Sequence, residues 1–282
     1  MNAQRLLQPY ASNRSSFGPV SAPARSKTGG IKGFAWSAVI GLVVGLVLYW
    51  PAAFVLPHLE QAAQSRVVFS GIRGSFWAGS AETALSAIDA ANTREQIPGR
   101  LHWQWALRDG WPTLMVRLDC CMAKPAALSL ARQSTSFSLL VSDLRADLQM
   151  SWLAGLGTPF NTLKPQGELA VLADSVSIAI KDDLPSMSGS VVVQANNFSS
   201  VLSGIRPMGS YMLRAQGEIG SVRLTLTTVS GALRLSGTGA LNGRGIYFRG
   251  TASPSSGYGQ ALNNLLNVIG RRQGNSSIIS IG

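Results

Sequence analysis

Two histidines and two cysteines are the chain's whole stock of soft metal ligands and imidazole bases. His58 and His102 stand far apart, and neither falls in a His-Glu-x-x-His or comparable ligand spacing, so no metal site is expected. Serine is abundant, yet there is no Gly-x-Ser-x-Gly elbow and no histidine placed to activate a hydroxyl. Glu82, Glu95 and Glu168 form no pair of the kind that cleaves glycosidic bonds. Gly237, Gly239, Gly243, Gly245 and Gly250 lack the Gly-Lys-Ser/Thr of a phosphate loop and read as turns and tight sheet bends. Cys120 and Cys121 are neighbours in sequence. On an extended strand their side chains would point to opposite faces and could not bridge. Two small thiols are therefore the expectation, with intermolecular pairing or a vicinal bridge as alternatives, and the two residues are a candidate redox pair. No cofactor is expected, and the chain reads as non-enzymatic.

Hydrophobic residues make up 46% of the 282 residues and charged residues 13%, with a net charge of +11. The charged share is about half that of an ordinary soluble domain. Part of the positive excess is local: residues 1–33 hold Arg5, Arg14, Arg25, Lys27 and Lys32 and no acid. The other bases are scattered singly, with no reading helix or RNA-binding pattern, so nucleic acid is not an expected partner.

From Phe34 to Leu56 runs a stretch of 23 residues without a charge, long enough for a helix across a hydrocarbon core of about 30 Å. Trp36 lies near one boundary and Tyr49 with Trp50 near the other, where indole and phenol rings favour the headgroup region. Pro51 lies close enough to the far end for a kink to be tolerated. The run exceeds the apolar core of a signal peptide and follows a long leader, so it reads as an uncleaved signal anchor. Charge asymmetry then sets the topology. Residues 1–33 form a basic, disordered cytoplasmic leader, 34–56 a single-pass span of a bacterial inner membrane, and 57–282 a periplasmic domain.

That domain reads as β-structure. Leu101, Trp103, Trp105 and Leu107 alternate with His102, Gln104, Ala106 and Arg108, and Asp109-Gly110 is a type I′ turn signal. Folding there pairs Trp105 with Leu114, Trp103 with Val116 and Leu101 with Leu118 on an apolar face. His102–Arg117 and the opposite-charge pair Arg100–Asp119 fall on the other, and Pro112 takes a position that needs no ladder donor. Leu144, Ala146, Leu148, Met150 and Trp152 read as one alternating strand; Leu172, Val176, Ile178 and Ile180 share a face of another. Further strands carry Leu213, then Val222, Leu224 and Leu226 after a turn at Gly220-Ser221, then Leu233 and Leu235, then Ile246–Arg249. Gln260–Gly270 places Leu262, Leu265, Leu266 and Ile269 at helical spacing, and Ser276–Ile281 reads as a last strand. The expected fold is thus one N-terminal transmembrane helix followed by a mainly-β domain, an antiparallel meander, sandwich or curved open sheet, with a short C-terminal helix.

The stretch Gly71-Ile72-Arg73-Gly74-Ser75-Phe76-Trp77-Ala78-Gly79-Ser80-Ala81 resembles the G-x-x-G-[ST]-x-W-x-G-x-A segment of the type II secretion system protein N family. Leu101-His102-Trp103-Gln104-Trp105 is similar to that family's L-x-W strand, and residues 228–237 and 265–272 also resemble it, in family order. The resemblance implies an accessory inner-membrane component of the type II secretion machinery with no catalytic residues. Its partners would be other secretion subunits, the secretin or the inner-membrane platform, met in the periplasm. Phe76, Trp77 and Trp111 are the candidate partner contacts, against the plainer reading that these rings pack the core or the hairpin. The alternative function is a periplasmic lipid-binding or lipid-bridging β-trough of the AsmA type, since a curved meander with one apolar face can hold acyl chains.

Overall fold

The computed structural model describes residues 31–63, 66–86, 94–133, 136–157, 160–181, 184–218, 220–243 and 245–282. Most of the expected leader lies outside these residues. The chain divides into two units, Met1–Val47 and Leu48–Gly282. The first is dominated by helix α1 (Ile31–Leu48), whose Trp36, Ile40, Leu42 and Leu46 are all exposed. Among the described residues no helix is long and apolar enough to cross a membrane. The single helix expected over Phe34–Leu56 does not form, because Pro51 does more than kink it. Proline has no N–H to donate and disfavours helical geometry in the residue before it. The chain leaves α1 at Leu48, bridges at Pro51, makes a 3-10 turn at Ala52–Phe54 and restarts as α2 (Leu56–Ala62).

In the second unit one antiparallel sheet runs almost in chain order. Its first eight strands are β1 (Val67–Gly74), β2 (Ala78–Ser86), β3 (Arg94–Arg108), β4 (Trp111–Leu118), β5 (Ala126–Gln133), β6 (Ser136–Gln149), β7 (Gln166–Lys181) and β8 (Leu184–Ser199). Then follow β9 (Gly209–Glu218), β10 (Ser221–Gly231), β11 (Leu233–Asn242), β12 (Gly245–Pro254), β13 (Arg271–Gln273) and β14 (Ser276–Ile281). The spatial order matches the sequence order through β12, after which β14 lies between β12 and β13. Of the architectures open to the sequence, the sheet is the open meander. Three short helical segments interrupt it: a 3-10 segment at Met150–Leu156 and α3 (Phe160–Leu163) before β7, and α4 (Gly259–Ile269) before β13.

Register carries one apolar face across most of the sheet. Trp105, Leu114, Leu128, Val141 and Val176 are successive partners from β3 to β7. Further along, Ala146, Val171, Val193, Leu213 and Leu226 are successive partners from β6 to β10. The β3–β4 hairpin has the expected pairing, with Asp109 and Gly110 at φ 53° and 80°.

Bulges change the phase of that alternation. Ala173 and Val176 are both buried while Asp174 and Ser175 between them are exposed, so one face holds residues three apart. The register between β7 and β8 shifts at the same place. Leu172 therefore pairs with Arg145 and Val192 on the polar face and does not share a face with Val176 and Ile178, as the alternation suggested. Asp143 on β6 (φ 58°) and Gly189 on β8 (φ 95°) continue the crease across three strands. A Cβ on Gly189 would lie 2.3 Å from the Ser175 carbonyl oxygen, so only glycine fits this left-handed position.

Helical segments cover the two ends of the apolar face. Near the start, Ala52 and Leu56 pack with Ala81, Phe69, Ile72 and Trp103. Beside them Trp152 packs with Leu118, Cys121, Leu101 and Leu148. Trp152 reaches this place because β6 stops at Gln149 and the chain turns into the 3-10 segment, correcting the longer strand read from its alternation. Near the end, Leu262, Leu265 and Leu266 of α4 are almost fully buried against Met208, Leu233 and Ala252. Burying each leucine contributes roughly 1.5–3 kcal/mol. Two hydrogen bonds tie this core to backbone carbonyls: Ser277 Oγ donates to Leu266, and Tyr211 Oη donates to Leu233 over 3.0 Å. Burial pushes the Tyr211 phenol well above its ordinary range. Of the glycine cluster, Gly237 and Gly250 sit within β11 and β12 against the Phe248 ring.

Candidate functional site

The β1–β2 connection, where Phe76 and Trp77 stand, is pinned from three sides. Ser75 N–H donates to the Ala78 carbonyl over 2.9 Å, and Phe76 N–H to the Trp50 carbonyl over 2.8 Å. On the third side Trp105 N–H donates to the Trp77 carbonyl over 2.8 Å. Trp103 Nε1–H closes the arrangement by donating to the Ser75 carbonyl over 3.1 Å. The rings of Phe76, Trp77 and Trp105 form a triangle with centroids 5.2, 5.6 and 6.3 Å apart, within the range of favourable aromatic pairs. Phe76 is half-buried, whereas Trp77 keeps 38% of its surface exposed.

Trp111 lies elsewhere. It pairs with Arg108 at the end of the hairpin, on the face opposite Trp105, and is 57% exposed beside Asp109 and Thr113. The three rings singled out from the sequence thus do not form one surface. Two join the aromatic triangle; the third marks the polar face.

Against that triangle lies a feature the sequence did not announce. A slot of about 150 Å³ is bounded by Ala52, Val55, Leu56 and Leu59 on one side and Phe69, Phe76, Leu101, Trp103, Trp105, Leu114 and Val116 on the other. Every lining residue is apolar. The alternation of β3 and β4 supplied its floor, but its roof depended on the chain turning back at Pro51, which no periodicity indicates.

On the polar face a broader depression of about 870 Å³ is lined by Arg73, His102, Gln104 and Arg117 among others. Two of its lining side chains meet one acid: His102 Nε2 donates to Asp119 Oδ2 over 2.8 Å, and Arg117 to Oδ1 over 3.1 Å. The His102 hydrogen bond, with its charge and that of Arg117, holds the Asp119 carboxyl below its usual range. Asp119 does not pair with Arg100 through their side chains, as the hairpin register suggested; it meets Arg100 only by backbone, donating N–H to its carbonyl over 3.1 Å. Arg100 instead turns to β2, donating to Ser80 Oγ over 3.1 Å, Glu82 Oε1 over 2.9 Å and the Ser80 and Gly71 carbonyls. The register shifts of β1 and β2 bring these acceptors together, and the two-strand pairing of the hairpin could not reveal them.

Cys120 and Cys121 are joined to each other by a disulfide. They occupy the turn after β4, not an extended strand, so the opposite-face argument does not apply and the thiol expectation is corrected. Cys121 is buried against Leu118 and Trp152, and its carbonyl accepts from Asp147 N–H over 2.8 Å. Among the described residues no group of three or more His, Cys, Asp or Glu side chains could hold a metal ion.

A family model described as type II secretion system (T2SS), protein N matches residues 65–278, from just before β1 into β14. Neither a curated protein nor a solved structure matches the chain.

Proposed function

The chain belongs to the type II secretion system protein N family, and from that premise we propose that it is a non-catalytic accessory scaffold of the secretion machinery. In this reading residues 1–33 are cytoplasmic, the apolar run from Phe34 anchors the chain in the inner membrane, and the sheet stands in the periplasm against other secretion subunits. The observation that carries the scaffold role is the clamp where the apolar run ends. Trp50 accepts from Phe76, Pro51 bridges to Ser75, and Glu60 accepts from Phe69 N–H, so the last residues of the run and those just after it are themselves fastened to the first strands. A domain held this way stays in a thin layer above the bilayer, which raises its effective concentration toward neighbouring subunits. The exposed apolar side chains of α1, Trp36, Ile40, Leu42 and Leu46 among them, support the anchor.

The test is a photo-crosslinking residue at Trp77 or Trp111 in cells, combined with carbonate extraction and an alkaline phosphatase fusion at Gly282. The expected result is an active fusion, a carbonate-resistant chain and a crosslink to a secretion subunit from one of the two positions. A carbonate-soluble chain, an inactive fusion, or no crosslink to any secretion subunit from either position would refute the reading.

A second reading, a lipid-holding trough, is supported by one specific observation. Leu130, Leu139, Ile178 and Met187 are successive partners on the apolar face of β5–β8, and Leu130 and Ile178 remain exposed. Native mass spectrometry of the detergent-purified chain would carry phospholipid adducts if the trough holds lipid, and none if it does not.

A further inference from the structure

We infer that the slot between α2 and the β3–β4 hairpin receives the terminal part of one acyl chain of a bilayer lipid. The inference rests on the membrane-anchored reading above and gives the second reading a defined site.

The chemistry of the walls selects the occupant. None of the lining side chains is charged or carries an amide or hydroxyl group; of the two wall indoles, Trp103 N–H is engaged by the Ser75 carbonyl, which leaves the Trp105 N–H as the one polar group there. A peptide docking here would strip water from its own backbone and find a single indole donor, and no acceptor, on the walls to replace those hydrogen bonds. An acyl chain has nothing to satisfy. An apolar cavity of about this size stays dry and accepts a small hydrocarbon group, and a filled slot regains the dispersion contacts that empty walls forfeit.

Position supplies the second argument. Ala52, Val55 and Leu56 belong to the same uncharged run that the anchored reading places at the membrane, so the slot opens within a few residues of where that run ends. From its far wall, Leu114 leads to Leu128 and Val141 along the apolar row. A chain longer than the slot therefore continues over aliphatic surface and not into water.

The experiment uses the full chain in nanodiscs of phosphatidylethanolamine and phosphatidylglycerol, with a trace of phospholipid carrying a diazirine at the end of one acyl chain. After irradiation, labelled peptides are mapped by mass spectrometry. Label is expected on α1 and on slot residues such as Leu56 and Leu114. Val116→Trp, which fills the slot, should lower slot labelling about tenfold and leave α1 labelling unchanged. Leu130→Trp, on the same face outside the slot, should leave slot labelling within roughly twofold. Val116→Phe is a milder filler should the tryptophan variant lose its resistance to trypsin, and it should lower slot labelling in the same direction. Label on α1 with none in the slot, or undiminished slot label in a folded filler variant, overturns the inference alone. A bound polypeptide protecting the slot in place of lipid does the same. Absence of label from α1 overturns the anchored reading and the inference with it.

Discussion

Arg100 sits where β1, β2 and β3 change register, and its guanidinium donates to four acceptors on β1 and β2. An apolar replacement of similar length leaves these groups unpaired in a half-buried place. Arg100→Met is expected to lower the unfolding free energy by about 2 kcal/mol, and Arg100→Lys to recover less than half, because a point charge cannot reach a fork of acceptors. Urea titration of the detergent-held chain measures both. Asp119 gives a pH-dependent counterpart. Its carboxyl titrates lower in the folded chain than in the unfolded one, so its contribution is present above the unfolded value of about 3.9 and fades as pH falls through the folded one. The stability difference between the parent and Asp119→Asn should therefore shrink as pH falls below about 4. A difference that grows as pH falls below about 4 would contradict the assignment.

At the level of single elements, the crease and the C-terminal helix are the most sensitive parts. Gly189→Val puts a branched side chain on a left-handed residue against the Ser175 carbonyl and should cost about 2–4 kcal/mol by denaturant titration. Leu265→Ala empties part of a fully buried site and should cost about 2–5 kcal/mol. Elements with strong local signals were legible from the residues alone. The Asp109-Gly110 turn fixed the hairpin register, and the spacing of Leu262, Leu265 and Leu266 marked α4. Legibility failed where one backbone position overrides a periodic pattern. The bulge near Asp174 inserts a residue that the alternation of Leu172 and Val176 conceals. Met150 and Trp152 continue a period of two after the strand has ended. Pro51 was visible, but whether it kinks or ends a helix depends on the sheet edge that captures the chain behind it. The slot inherits that blindness, since half its wall exists only after the capture.

For the whole molecule, each strand touches little beyond its neighbours, so stability is distributed along the sheet as in a repeat protein. The helical covers sit at separate ends, with α4 near one and α2 near the other. All seven tryptophans lie at or before Trp152. Tryptophan fluorescence therefore reports the first part of the sheet, while far-ultraviolet circular dichroism reports all of it. The two signals are expected to give different denaturant midpoints, and Leu265→Ala to shift the dichroism transition while leaving the fluorescence transition in place. A single coincident transition in both variants would show that the ends unfold as one.

The order of the strands bears on how such a protein is made. A chain made from its beginning presents each new strand to a preceding strand already waiting to zip onto it. No early segment must stay open for a distant late one until the final hairpin, where β14 slips in beside β12 and carries α4 down as a lid. Assembly by accretion of this kind limits the time that any bare β-edge faces a crowded compartment, with the last two strands acting as the stop that ends the growth.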